Sequence, residues 1–373
     1  ASWQSQDQGR KLIGTLLPIV LLGGGLFWLL GEGSDPFAET LPPVVVPAGL
    51  VTLAEQGVEN PAAPGPYAVT NFTYGSGQDE KRPEYATGVR FTTPSVDASL
   101  LLPEWKGKKK KWRERYWGFG VDSFPLNARV YLPEGEGPFP LVLIVHGNHS
   151  MIDYSDGGYA YFGELLASRG MITVSVDENF INGHWSGDFM GKEMPARAWL
   201  LLKHLEQWQA WNTTPGHELF GKIAMDRIML VGHSRGGEAV SIAAAFNRLP
   251  AYPDNALQTF DFDFDIRAVV SIAPTDYRYH RQITLEEVDY LSLQGSYDAD
   301  EVSFWGLRPY HRLASADIKA GVYLHRANHG QFNSSWGRAD FGGTMRWLLN
   351  TQPLLSGDEQ RQAATVFISA FAE

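Results

Sequence analysis

From residue 139 onward, short unbroken apolar runs alternate with longer stretches whose apolar residues recur at three- and four-residue spacing. The runs predict strands over 141–145, 171–176, 228–231, 266–272, 290–294 and 319–325, and the periodic stretches predict helices over 159–168, 195–211 and after residue 234. A strand that is apolar at every position must be covered on both faces, so the alternation implies parallel strands joined by crossover helices. Such a sheet gathers the loops after its strands along one edge, where sites form. Upstream, from Phe72, the pattern changes to shorter β-like runs, 88–93 and 128–132, which read as leading strands of the same sheet. The chain carries no internal repeat.

Residues 12–30, LIGTLLPIVLLGGGLFWLL, contain no charge and span roughly 28 Å as a helix, about one bilayer core. Arg10 and Lys11 precede them, and Glu32, Asp35 and Glu39 follow. The positive-inside rule then predicts a single-pass membrane protein with a cytoplasmic flank, residues 1–11, and everything after the span on the extracytoplasmic side. A cleaved signal peptide is the rival reading, although its apolar region is shorter and no small-residue cleavage site follows Leu30. Residues 31–70 are rich in proline and are expected to form an extended linker that lifts the globular part off the membrane. Residues 71–373 then form one catalytic-sized domain.

A net charge of −11 argues against nucleic acid as a partner, since phosphate binding needs a basic field. One stretch departs from that balance. Residues 105–117, WKGKKKKWRERYW, interleave basic and aromatic side chains, a composition that suits either anionic headgroups or a solvated loop between strands. The absence of cysteine excludes disulfides, thiolate metal sites and cysteine nucleophiles.

Candidate chemistry enters where the strand 228–231 ends. Gly232-His233-Ser234-Arg235-Gly236 fits a nucleophile elbow, in which a strained strand-to-helix turn exposes a serine and flanking glycines let neighbouring backbone approach. With 39 glycines in 373 residues, the bare G-x-S-x-G pattern should arise by chance on the order of once in four such chains, so its strand-to-helix context carries the weight. A serine needs a histidine to take its proton and a carboxylate to orient that histidine. The turn after 290–294 offers Asp298, with Asp300 and Glu301 as rivals; the loop after 319–325 offers His329, preferred to the strand-end His325. The chain order is Ser, Asp, His, as expected on this scaffold.

An acyl transfer also needs oxyanion donors. The N–H of Arg235, at a helix start, is one expectation, and the N–H of Asn148 in the loop 146–150 is the other, with His149 as its alternative. His146 and His149, with Asp153, Asp177 and His184 nearby in sequence, also permit a metal reading, but the spacing recurs easily by chance and a hydrogen-bonded turn is preferred. No metal or cofactor is therefore expected.

Together these segments, with Gly295-Ser296-Tyr297-Asp298 and Asn328-His329-Gly330, resemble the α/β-hydrolase superfamily over roughly residues 125–350. Within it the chain looks most like the branch of chlorophyllases, platelet-activating-factor acetylhydrolases and cutinase-like polyester hydrolases. The arginine after the serine is chlorophyllase-like, where polyester hydrolases usually carry methionine. The resemblance implies an α/β-hydrolase fold and a cofactor-free Ser-His-Asp esterase. Aromatic residues near the catalytic edge favour an apolar or aromatic ester, with His149, Trp185, Trp305 and Phe332 as candidate substrate contacts. The competing expectation is a silent hydrolase-shaped domain that serves as a binding or assembly subunit of a membrane complex.

Overall fold

The computed structural model describes residues 2–36, 57, 59–184, 190–341 and 343–373. Helix α1 (Ser2–Leu30) opens the chain, and residues 13–30 have a mean hydropathy of 2.1 with none of that stretch buried. It is long and apolar enough to cross a bilayer, as signal sequences and anchors both are. Strand β1 (Val69–Gly75) and the two-residue β2 (Phe91–Thr92) follow, then helix α2 (Gly107–Trp117), β3 (Asn127–Pro133) and β4 (Phe139–Val145). Next come α3 (Ala160–Ser168), β5 (Ile172–Asp177), α4 (Met194–Thr213), β6 (Ile223–His233) and α5 (Arg235–Phe246). The chain continues through β7 (Ile266–Ile272), β8 (Asp289–Gly295), α6 (Leu307–Arg312), β9 (Lys319–Leu324) and α7 (Gly357–Ala372).

The nine strands form one mixed sheet, ordered β2-β1-β3-β5-β4-β6-β7-β8-β9. Strands β5, β4, β6, β7, β8 and β9 run parallel, while β3 is antiparallel to both β1 and β5. This is the α/β architecture the apolar alternation predicts. Period-two geometry divides the run 141–145 between two cores. Leu141, Leu143 and Val145 pack with Leu200 and Leu201 of α4 and Val240 of α5 on one face; Val142 and Ile144 pack with Phe162 and Leu166 of α3 and Ile368 of α7 on the other. The edge strand β9 alternates exposed and half-buried positions, with Lys319 among the exposed ones, and a charged edge limits pairing with further chains.

Two upstream expectations change. The run 105–117 is an ordered helix over most of its length, because no proline or β-branched residue interrupts 107–117 and Gly118, at φ 83°, closes it in the left-handed conformation with its N–H on Glu114 O. The start of the expected linker, moreover, is docked: Glu32 O accepts from the N–H groups of Thr351 and Gln352 at 2.8 and 2.9 Å, and Asp35 pairs with Arg326 at 2.8 Å. Residues 37–56 and 58 of that linker lie outside the described residues.

Candidate active site

Strand β6 delivers Ser234 into a turn whose backbone is the least relaxed feature of the site. Ser234 sits at φ 59° and ψ −125°, outside the regions that L-residues favour. A strained non-glycine backbone of this kind costs about 1–3 kcal/mol and persists only where surrounding contacts enforce it. Here the Ser234 N–H donates to Ile272 O at 2.9 Å and its carbonyl accepts from Gly237 N at 2.9 Å. The flanking glycines are sterically required. A Cβ at Gly232 would lie 2.0 Å from Gly236 O, and one at Gly236 would lie 2.5 Å from Val145 O.

The expected acid and base meet. His329 Nδ1 lies 2.9 Å from Asp298 Oδ2, both side chains buried. Asp298 is saturated: its Oδ1 accepts from the N–H groups of Asp300 and Glu301 at 3.0 and 2.6 Å, and its Oδ2 also accepts from Gln294 Nε2 at 2.9 Å. Such a carboxylate is fixed as an acceptor, so Nδ1 of His329 is the donor of the pair. Burial disfavours the imidazolium, but Asp298, with Asp300 and Asp340 behind it, overrides that cost and pushes the His329 pKa up to about 10. The rival Asp300 takes a different position, 3.4 Å from Nε2 of the same ring and half exposed. That contact is not aligned as a hydrogen bond, and Nε2 has no hydrogen-bond partner among the described residues. Ser234 Oγ, likewise, is not hydrogen-bonded to it. The other rival, His325, stands edge-on to Tyr297 instead.

The loop after β4 abuts the serine. A Cβ at Gly147 would fall 2.4 Å from Ser234 Cβ and 2.9 Å from its Oγ, so only glycine fits. His146 anchors this loop through both nitrogens: Nε2 accepts from Glu178 N–H at 3.0 Å and Nδ1 donates to Gly147 O at 2.8 Å. Burial, with Arg197 close by, lowers its pKa to about 3 and keeps it neutral; neither nitrogen is left for a metal. Asn148 spends its side-chain oxygen on the Gly183 N–H at 2.6 Å, while its own N–H has no acceptor among the described residues. The N–H of Arg235 opens α5, where a helix supplies no intrahelical acceptor. Its guanidinium turns away to the buried Glu193, at 2.5 Å.

The expected substrate contacts separate. His149 stacks on Trp336 with ring centroids 5.3 Å apart, at the site's rim. Trp305 packs on Tyr277, two residues beyond Thr275, whose N–H reaches Ser234 O at 3.3 Å. Phe332 is fully buried, edge-on to His233, so its ring belongs to the core beneath the site and offers no face to a substrate. Trp185 lies outside the described residues.

Two contributors, His233 and Asp340, escaped the sequence reading. His233 donates from Nε2 to His329 O at 3.1 Å, since a carbonyl can only accept, and its Nδ1 accepts from the Tyr159 hydroxyl at 2.9 Å. It is thereby a neutral strut between the serine and histidine loops, its pKa held well below the usual value by burial and by His329. Asp340 accepts from the N–H groups of Ala299, His329 and Gly330 and so ties the loop that carries Asp298 to the loop that carries His329. Trp336, one of the aromatic residues expected near the catalytic edge, stacks on the rings of His149, His233 and His329. Of the two missed residues, only His233, inside the elbow motif, carried a local signal. No protein-family model matches this chain, and no curated protein sequence does either.

Proposed function

We propose that this chain is a membrane-tethered serine hydrolase of the α/β-hydrolase type that cleaves carboxylic esters of apolar or aromatic character. The observation that carries this reading is the strained Ser234 at the strand-to-helix turn, with the Asp298–His329 pair held beside it through His233. Strain at a buried serine held between glycines at a strand end is the backbone arrangement that projects a nucleophile.

In the reaction, Ser234 Oγ attacks the ester carbonyl carbon while neutral His329 accepts the serine proton at Nε2. Asp298 holds the opposite nitrogen and stabilises the imidazolium that results. The N–H groups of Arg235 and Asn148 receive the developing oxyanion. Collapse breaks the ester C–O bond, and the departing alkoxide takes the proton from Nε2. Water then attacks the acyl-enzyme, giving its proton to His329, and the proton returns to Ser234 as the acid leaves. The Ser234–His329 hydrogen bond must form for this to begin; resting sites often tighten only with substrate bound. Residues 12–30 would anchor the enzyme, with residues 1–11 cytoplasmic and the catalytic unit on the far side.

The test is hydrolysis of short p-nitrophenyl esters by the full chain. Ser234→Ala should abolish activity, and Asp298→Asn should reduce it strongly where Asp300→Asn does not. Activity that survives Ser234→Ala would remove the mechanism. The unmade Ser234–His329 bond favours a second reading, a silent domain that binds or assembles a membrane complex. Failure of the folded chain to label with a fluorophosphonate would select that reading.

A further inference from the structure

The basic helix α2 carries a strongly cationic surface on an acidic chain. Seven of the residues in 105–117 are Lys or Arg against one Glu, in a protein of net charge −11. Helical spacing sorts them. Lys108, Lys111, Trp112 and Arg115 fall at i, i+3, i+4 and i+7, one face of the helix, and all four are exposed, Trp112 by 45%. Arg113 and Trp117 fall on the opposite face and are buried. Arg113 fixes the helix to the body of the protein by donating to Phe180 O at 3.0 Å and Asn182 O at 2.6 Å. Gly183 then bonds Asn148 in the candidate oxyanion loop.

The position of α2 matters as much as its charge. Phe180 and Asn182 follow β5, and the anchor-side residues Glu32 and Asp35 dock on Thr351, Arg338 and Arg326, which follow β9. Strands β5 and β9 are parallel, so both attachments lie at the same edge of the sheet, separated by five strand spacings, roughly 24 Å. The apolar helix α1 therefore emerges at the edge that carries Ser234, and α2 stands across that edge from it. We infer that the outer face of α2 docks on an anionic lipid bilayer, so that the membrane plane lies along the catalytic edge. Cations surrounding an exposed tryptophan match the headgroup region, where basic side chains meet anionic lipid and the indole prefers the interface. The short, bonded exit from α1 keeps the two footholds on one surface. The inference stands independently of whether Ser234 hydrolyses esters.

The chain has no cysteine, so Lys111→Cys creates a single thiol for an environment-sensitive fluorophore. Leu257→Cys, at an 81% exposed residue after α5 and thus at the opposite edge, is the control. The full chain is reconstituted through α1 into nanodiscs of phosphatidylcholine, alone or mixed with phosphatidylglycerol. Emission from position 111 should shift to the blue in the anionic discs only, reverse at high salt, and stay unchanged at position 257. Adding Lys108→Glu and Arg115→Glu should weaken the docking equilibrium at least about tenfold without changing thermal stability. Equal emission in both lipids, or a shift that survives the two charge reversals, would overturn the inference. A shift produced by soluble duplex DNA but not by anionic discs would overturn it in favour of nucleic acid.

Discussion

Asp300 Oδ2 stands 3.4 Å from His329 Nε2, the atom that should face Ser234. The imidazole thus has a carboxylate on each side, Asp298 through Nδ1 and Asp300 at Nε2. Asp298 orients the ring; Asp300 competes for the nitrogen that would accept the serine proton. Both, with Asp340, favour the imidazolium, which cannot act as a base.

The first consequence is an alkaline limb in the pH–rate profile. Activity should climb as pH rises toward the His329 pKa of about 10, and Asp300→Asn should move that limb to lower pH. Each unit by which the pKa falls raises the neutral fraction at pH 7 about tenfold. Initial rates of ester hydrolysis across pH 6–11 measure this, and coincident profiles for the two proteins would show that Asp300 exerts no hold on the ring.

Stability should have the opposite slope. The folded-state pKa of His329 lies above its unfolded value, so its contribution is fully present below about pH 6.5 and is lost as pH rises through about 10. Thermal midpoints should decline across that window, and His329→Gln should flatten the decline even though it lowers the midpoint overall. Calorimetry at pH 6, 8 and 10 provides the check; parallel slopes for the two proteins would contradict the assignment.

Gly147→Ala isolates the loop after β4, the candidate source of an oxyanion donor. The new methyl would overlap Ser234, at 2.4 Å from its Cβ, so the loop or the serine must move. The kcat should fall on the order of a hundredfold, as for loss of one oxyanion donor, while stability falls by about 1–3 kcal/mol. Paired kinetics and urea titrations separate the two effects, and unchanged kcat would place the loop outside the reaction.

Behind the site, Arg82 is fully buried and bonds Asp156 at 2.9 Å and Asp177 at 3.1 Å. Arg129, at 2.8 Å from Asp156, and the Tyr85 hydroxyl complete the cluster. Burial works against the Asp156 carboxylate, yet Arg82 and Arg129 together hold its pKa down to about 2. Arg82→Met should therefore cost about 3–5 kcal/mol, because it leaves the buried Asp177 without its cation and Asp156 with Arg129 alone. Urea denaturation reads the loss directly; a change below about 1 kcal/mol would mean that Arg129 alone satisfies the cluster.

Local patterns were enough to locate the parallel strands, the helices between them, the strand-to-helix turn at Ser234 and the loops that carry Asp298 and His329. Each depends on periodicity, on glycine sterics or on a loop following a buried strand, and those signals lie within a few residues. Contacts across long sequence separations were decided only by folding. Asp340 bridges two loops, Asp300 turns to Nε2, Phe332 sinks under His233, and Arg113 pins a basic helix to the loop after β5. Nothing adjacent to these residues specifies the partner, since a side chain's role there is set by which strand ends the sheet order makes neighbours. The hydrophobic pattern determined which residues are buried; the topology determined which charges the buried histidine would meet.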